Sequence, residues 1–168
     1  MWAWVSFLLA CLFAGVLQVG CLWPWRQAWL HPEVLSLLAV HALLIGPRRS
    51  ALAMAGVAGL LADQLTLGPP GVRAGVYVVA GAWLVSQRSW LLPRSSLTGA
   101  VAVVGLCFAA LLFELLVMHL QGGGAVSGDL VLRRLIGVPL ASAMLMLAVR
   151  PLLLRWRIGQ APDSSRLF

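Results

Sequence analysis

The stretch that decides the fold is Gly56–Val85, which reads GVAGLLADQLTLGPPGVRAGVYVVAGAWLV. Two apolar segments rich in small residues flank a Gly-Pro-Pro-Gly turn, and the first segment carries one carboxylate, Asp63. Pro69 and Pro70 exclude helix at the turn because their φ is fixed, while Gly71 permits the φ values of a tight reversal. The stretch therefore predicts a hairpin of two membrane helices with an ionisable residue near the turn.

The composition of the whole chain points the same way. The 168 residues are 61% hydrophobic and 10% charged, whereas a soluble domain is roughly half apolar and a quarter charged. The net charge of +7 comes from arginines scattered among short loops, which form no basic face long enough to follow nucleic acid. We therefore expect one integral membrane domain over residues 1–168, without a nucleic-acid partner.

Six apolar segments predict an all-α protein with about six transmembrane helices in one bundle. The second span is the shortest, because Pro32–Ile45 gives only about 21 Å of helix against a hydrocarbon core of about 30 Å. It must therefore include Trp29 to His31, thin the bilayer or be re-entrant. The expected spans are about 2–23, 30–46, 50–67, 71–87, 96–120 and 130–154, followed by a short cytoplasmic tail at 155–168.

The arginines predict the orientation. With six spans, eight of the twelve basic residues lie on the side of the C-terminus, which places that terminus in the cytoplasm by the positive-inside rule. Four arginines fall within a turn or two of predicted helix ends, where a long side chain can reach the lipid headgroups. These four are Arg73, Arg133, Arg134 and Arg150.

Small residues recur along one face of the predicted third helix. Ala51, Ala55, Gly59 and Asp63 follow one another at intervals of four residues, so they share a face. Small side chains at this spacing let helix backbones approach closely in lipid. The ridge is therefore expected to contact another helix, either of a partner or of the same chain, and the uncharged first helix is the other candidate for a partner contact.

A charge inside the membrane needs a partner or must be neutralised. Asp63 precedes the turn and Arg73 follows it, so we expect these two side chains to form an ion pair in the same leaflet. Glu114 lies about 9 Å from the end of the fifth helix, and we expect it to pair with Arg133 or Arg134 at the start of the sixth.

His119 and Gln64 extend these predicted pairs into a polar cluster in the outward half of the bundle. Two explanations compete for it: ion pairs that lock the bundle, or the lining of a cavity that binds a small solute. His41 stands alone in the second helix and is expected to be a packed histidine.

The chain lacks the usual signatures of catalysis and of metal binding. It contains no G-x-S-x-G, no H-E-x-x-H and no glycine-rich phosphate loop after a strand. Cys11, Cys21 and Cys107 lie in apolar spans without metal spacing, so we expect no disulfide, metal or cofactor. An intramembrane transferase with Glu114 or Asp63 as its base is the enzymatic alternative.

The hairpin resembles the MreD family of bacterial rod-shape-determining membrane proteins. In that family a glycine-rich third helix ends in Gly-Leu-x-x-Asp, and a Pro-Leu-Gly-type turn and a fourth helix bearing an aromatic residue follow. This chain departs from the pattern where it has a second proline instead of the leucine. The matching residues are Gly59, Leu60, Leu61 and Asp63 in the helix, Pro69, Pro70 and Gly71 in the turn, and Tyr77 as the aromatic.

The resemblance implies a scaffold of the cell-elongation machinery in the bacterial inner membrane. Members of the family associate with the bitopic protein MreC and, through it, with the actin-like MreB and the peptidoglycan synthases. They also resemble the six-helix substrate-binding subunits of energy-coupling-factor vitamin transporters. We therefore expect a non-enzymatic protein that helps to organise lateral wall synthesis and cell shape, and the alternative is a subunit that binds a vitamin-type solute.

Overall fold

The computed structural model describes residues 2–20, 31–66, 69–91, 95–122 and 128–155. This part of the chain is all-α, as predicted, and forms six helices without a strand. The expected end of the first span near Trp23, and the tail after Arg155, lie outside the described residues. The helices are α1 (Trp2–Gly20), α2 (Val34–Ile45), α3 (Arg48–Leu65), α4 (Val72–Ser86), α5 (Ser96–Leu120) and α6 (Gly128–Arg155).

Within the described residues, three helices are long and apolar enough to cross a membrane: α1, α5 and the Val131–Arg155 part of α6. These helices expose many large apolar side chains, among them Leu9, Phe13 and Phe108. Exposed apolar surface on this scale is typical of helices that face lipid rather than water. The surface fits a membrane protein, and the division into six spans stays a prediction.

The second helix, α2, lies at the centre of the bundle. It contacts each of the other five helices, and its ten residues from Leu35 to Leu44 are all buried. A helix that is apolar on every side is normally a core helix. At twelve residues it is only about 18 Å long. The helix begins at Val34, and the five helices around it cover it on all sides.

The hairpin of α3 and α4 is closely packed at Gly59. A Cβ at that position would lie 2.6 Å from Cα of Ala74 and 2.8 Å from its backbone nitrogen. The other ridge residues, Ala51, Ala55 and Asp63, are buried too. The small-residue ridge is therefore an internal packing face, which agrees with the predicted alternative of a contact within the same chain.

The interior of the bundle also contains polar side chains from α2 and α6. His41 is buried, as expected of a packed histidine. Arg150 is fully buried in α6, so the expectation that it reaches the headgroups is wrong. Its guanidinium lies where Gly99 of α5 leaves room, because a Cβ on that glycine would be 2.0 Å from Nη1. Cys11 and Cys107 are buried free thiols, and Cys21 lies outside the described residues.

Candidate functional site

Ionisable side chains converge at one end of the bundle, which we call the polar end. There α1, α3 and α5 end while α2, α4 and α6 begin, because the helices alternate in direction. The same end contains the turn that joins α3 to α4, of which residues 69–71 are described. The residues that build the site are Asp63, Arg73, Glu33 and Glu114, each no more than 7% exposed.

Asp63 forms the joint between α3 and α4. Its Oδ1 accepts a hydrogen bond of 3.0 Å from the backbone N–H of Arg73, and Oδ2 accepts bonds from Gly71 at 3.0 Å and Ala74 at 3.3 Å. The first N–H groups of a helix lack partners within the helix and carry the positive end of its dipole. The carboxylate therefore caps α4 from the end of the preceding helix.

The turn suits this cap. Gly71 has a φ of +86°, in the left-handed region that other residues rarely adopt. The predicted reversal is therefore confirmed at this glycine. The expected ion pair between the side chains of Asp63 and Arg73 is wrong, because Asp63 binds the backbone and the guanidinium of Arg73 turns to other carboxylates.

The guanidinium of Arg73 joins two carboxylates from different helices. Nη1 pairs with Oε1 of Glu33, which directly precedes α2, and Nη2 lies 2.8 Å from Oε2 of Glu114 in α5. Arg73 is 5% exposed, so its expected contact with headgroups is also wrong. The planar fork of arginine can bind two carboxylates at once. Arg73 thereby connects α4 to α2 and α5.

Several neutral groups surround Glu33. Oγ of Ser36 donates to its carboxylate at 3.2 Å, and the hydroxyl of Tyr77 lies 3.5 Å from the same oxygen. The backbone N–H of Glu33 donates to Oγ of Ser142 in α6 at 2.9 Å. Buried charges persist in proteins when they are paired and hydrogen-bonded. The Glu33 carboxylate therefore has one charged and two neutral partners.

The partners of the α6 arginines differ from those expected. Arg133 pairs with Asp129 one turn earlier, at 2.8 Å, and both side chains are exposed. Arg134 is exposed as well, and the Glu114 carboxylate pairs with Arg73 instead. The predicted pairing of Glu114 with Arg133 or Arg134 is therefore wrong.

The predicted polar cluster also changes in membership. Gln64 and His119 are exposed, and Glu33, which the sequence reading missed, takes a central place. Its signal was available: it is one of only five acidic residues in the chain and lies at the start of an apolar helix. The alternation of the helices would have brought that position to the same end as Asp63.

A cavity of about 110 Å³ adjoins the Arg73 guanidinium. We call it the polar chamber; it lies between α1, α3, α5 and α6. A smaller cavity of about 60 Å³, the side slot, lies between α5 and α6 and shares its wall with the chamber. Chamber residues with polar side chains are Gln18, His31, Glu33, Thr66, Arg73, Glu114 and Arg134.

The chain matches the sequence model described as "rod shape-determining protein MreD" over residues 1–155 of 168. The chain belongs to the MreD family. Neither a curated protein nor a solved structure matches it. Membership assigns it to a family of structural membrane proteins with a role in rod-shape determination, whose members work with protein partners in the cell-shape machinery.

The residues that carried the MreD resemblance all lie at the α3–α4 joint or beside it. Gly59 allows the close approach of the two backbones, Asp63 caps α4, and Gly71 supplies the left-handed turn. Tyr77 is fully buried next to Glu33. In this MreD protein the recognisable motif thus coincides with the device that fixes the hairpin and orients Arg73.

Proposed function

We propose that this MreD protein is a non-enzymatic scaffold of the bacterial inner membrane that binds an MreC-like bitopic protein. Through that partner it connects to an MreB-like filament and to the peptidoglycan synthases, and helps to organise lateral wall synthesis. Six spans and a cytoplasmic C-terminus complete the proposal. The observation that carries it is the family match, which extends over residues 1–155.

The contacts of the ionisable groups support a structural role. Both oxygens of Asp63 accept backbone N–H groups, and the carboxylates of Glu33 and Glu114 share the guanidinium of Arg73. A catalytic base must be able to reach and accept a substrate proton. Asp63 and Glu114, the two bases considered for an intramembrane transferase, instead have partners that hold the helices together.

The exposed face of α1 is the surface we propose for the partner. In the described part of the chain α1 contacts only α2 and α3. Its outer face carries Leu9, Phe13 and Val16, each more than 60% exposed. A transmembrane helix of a bitopic protein can pack on such a face through van der Waals contacts, and α1 has no charged side chain that would oppose it.

Cysteine cross-linking in the native host tests this surface. In a background with Cys11, Cys21 and Cys107 changed to alanine, Phe13→Cys should form a cross-link to the MreC-like protein. Ala14→Cys is the matched control, because this neighbouring position is 2% exposed and points into the bundle. Equal cross-linking from both positions would contradict the proposed face.

Affinity purification and cell morphology test the wider role. The tagged full-length protein, extracted in mild detergent, should bring down an MreC-like protein and wall synthases, which mass spectrometry would identify. Depletion of the protein should turn rods into spheres, and its re-expression should restore them. Normal rods after complete depletion would refute the proposal.

The vitamin-binding alternative is not favoured. Ligand pockets for molecules of that class usually enclose about 300 to 1,000 Å³, and the polar chamber measures about 110 Å³. A copurifying vitamin in stoichiometric amount, together with a coupling ATPase, would reverse this preference.

A further inference from the structure

Two polar atoms in the wall of the polar chamber need a hydrogen-bond partner. Nε of Arg73 and Oε1 of Gln18 are buried and have no hydrogen-bond partner among the described residues. Both side chains line the chamber. A buried donor or acceptor without a partner costs free energy, so the occupant of the chamber must bring polar atoms. The chamber is therefore suited to a polar group and not to a lipid tail.

The side slot has the opposite character. It begins at the chamber wall, where both cavities share Glu114 and Arg134. From there it runs between α5 and α6 along apolar side chains, including Leu115, Val131 and Leu135. A polar chamber that continues into an apolar slot matches an amphipathic molecule. Its polar head would lie in the chamber and its apolar chain in the slot.

The charges of the site select the head. Glu114 and Arg134 lie at matching depths, each six residues from the polar end of its helix, or roughly 9 Å by helical rise. Inside the chamber, apart from His31, the buried carboxylates of Glu33 and Glu114 exceed the buried Arg73 by one negative charge, and the exposed Arg134 adds one positive charge at the mouth. A buried charge needs a partner of opposite sign. A zwitterionic head offers a cation to the interior and an anion to the mouth.

We propose that the chamber and slot form a binding site for a zwitterionic phospholipid of the ethanolamine type. The ammonium group enters the chamber and donates hydrogen bonds towards the Glu114 carboxylate and the Gln18 amide oxygen, and the ester oxygen between the aminoethyl group and the phosphate accepts from Nε of Arg73. The phosphate binds the guanidinium of Arg134 at the mouth, because arginine recognises phosphate through two parallel N–H donors. One acyl chain lies along the slot. The site is independent of the scaffold proposal, since it involves no protein partner.

The size of the chamber agrees with this head. One water needs about 10 to 15 Å³ of space for its centre, so a chamber with about 110 Å³ of such space has room for several non-hydrogen atoms. An aminoethyl group consists of two carbons and a nitrogen. A trimethylated ammonium is bulkier and cannot donate hydrogen bonds, so the chamber should discriminate against choline lipids.

Thermal unfolding of the delipidated full-length protein tests the site. In detergent, phosphatidylethanolamine should raise the Tm by about 5 to 10 °C, the shift expected for a ligand present at a hundred times its Kd. Phosphatidylglycerol and phosphatidylcholine with the same acyl chains should raise it by less than a third as much. An equal effect of all three lipids, or a larger effect of the anionic one, would overturn the proposal.

Two arginine variants separate the site from general lipid effects. Arg134→Gln should remove most of the shift by phosphatidylethanolamine, measured against this variant's own Tm in pure detergent, because it removes the guanidinium that binds the phosphate. Arg133→Gln is the control, since this neighbour is exposed and pairs with Asp129 away from the chamber. The same shift in Arg134→Gln as in the unaltered protein would refute the site.

Soluble phosphoethanolamine distinguishes a lipid from a free solute. It carries the same head without acyl chains, so it should give no shift at concentrations at which the lipid saturates. A full shift by phosphoethanolamine would overturn the lipid assignment and leave a solute site. Native mass spectrometry provides a second readout: one retained phosphatidylethanolamine per chain is expected, and its absence under conditions that retain other lipids would contradict the proposal.

Discussion

Asp63 binds the backbone of Arg73 and leaves its side chain to other partners. Oδ1 of Asp63 lies 3.0 Å from the backbone nitrogen of Arg73, while the guanidinium pairs with Glu33 and Glu114. The backbone N–H of Arg73 is thus bound by the helix cap, while its guanidinium connects α4 to α2 and α5. The carboxylate fixes where α4 begins, and that in turn fixes the position from which the guanidinium reaches α2 and α5.

Removal of the cap should destabilise the bundle. Asp63→Ala leaves the N–H groups of Gly71, Arg73 and Ala74 without their acceptor, and a hydrogen bond to a charged group contributes about 1.5 to 3 kcal/mol. We expect a Tm lower by about 4 to 8 °C in detergent for a loss of about 2 kcal/mol. Asp63→Asn keeps one acceptor oxygen, so its Tm should lie between that of Asp63→Ala and that of the unaltered protein.

The neighbouring Gln64→Ala is the control for this substitution, because Gln64 is exposed and should leave the Tm within a degree or two. A normal Tm in Asp63→Ala, with loss of the MreC-like partner, would show that Asp63 recognises a protein instead of capping α4.

The fork of Arg73 should not be replaceable by lysine. The two Nη atoms of Arg73 bind different carboxylates, whereas lysine offers one compact ammonium, so Arg73→Lys should lose one of the two carboxylates and lower the Tm. Arg73→Met leaves Glu33 and Glu114 buried without a cation, and breaking a buried pair in this way costs about 3 to 5 kcal/mol. Arg133→Lys, at an exposed ion pair, should change stability by less than about 1 kcal/mol.

A double variant keeps this prediction testable if Arg73→Met folds poorly. Glu114→Gln removes one of the two charges that Arg73 neutralises, so it should partly rescue Arg73→Met in yield and Tm. Such coupling is expected of residues in one network, whereas distant residues have additive effects. Simple additivity of the two substitutions would contradict the observed pairing.

The hairpin could be predicted from the sequence because its signals are local. The two prolines and two glycines of the turn act through their own φ preferences, and the four-residue interval of the ridge follows from helix geometry. The burial of α2 was also within reach, since a helix without a polar face is normally internal. Its ten buried residues explain why so short an apolar segment is tolerated.

The partners of Arg73 could not be derived in the same way. Glu33 lies 40 residues before it and Glu114 lies 41 residues after it, so the pairing depends on how α2, α4 and α5 pack. Sequence proximity favoured Asp63, which lies ten residues away but is occupied by backbone N–H groups. The prediction overlooked that the unpaired N–H groups at the start of a helix also bind a carboxylate.

The close approach at Gly59 predicts a steric effect of a single methyl group. In Gly59→Ala the new Cβ would meet the backbone of Ala74 at 2.6 to 2.8 Å, and backbone cannot move aside as a flexible side chain can. Overpacking typically costs about 1 to 3 kcal/mol, more than the gain of up to about 1 kcal/mol from the helix propensity of alanine. The Tm should therefore fall.

Gly105→Ala in α5 is the matched control, because no atom lies within 4 Å of the added Cβ. The same gain in helix propensity is unopposed there, so the Tm should stay constant or rise. A higher Tm in Gly59→Ala would contradict the close approach of α3 to the backbone of Ala74 in α4.

Arg88 caps the other end of α2. The guanidinium of Arg88, in the turn after α4, donates from Nη1 to the backbone oxygen of Gly46 at 2.7 Å and from Nη2 to that of Leu44. Carbonyl groups at a helix C-terminus lack partners within the helix and attract cations. Burial lowers the pKa of Arg88, yet arginine stays protonated at neutral pH, so both bonds remain charge-assisted. Arg88→Ala should therefore cost about 1 to 3 kcal/mol and lower the Tm by about 2 to 12 °C. Arg49→Ala, at an exposed position in the first turn of α3, should leave the Tm unchanged, and an equal loss in both variants would mean that overall charge, and not the cap of α2, determines the effect.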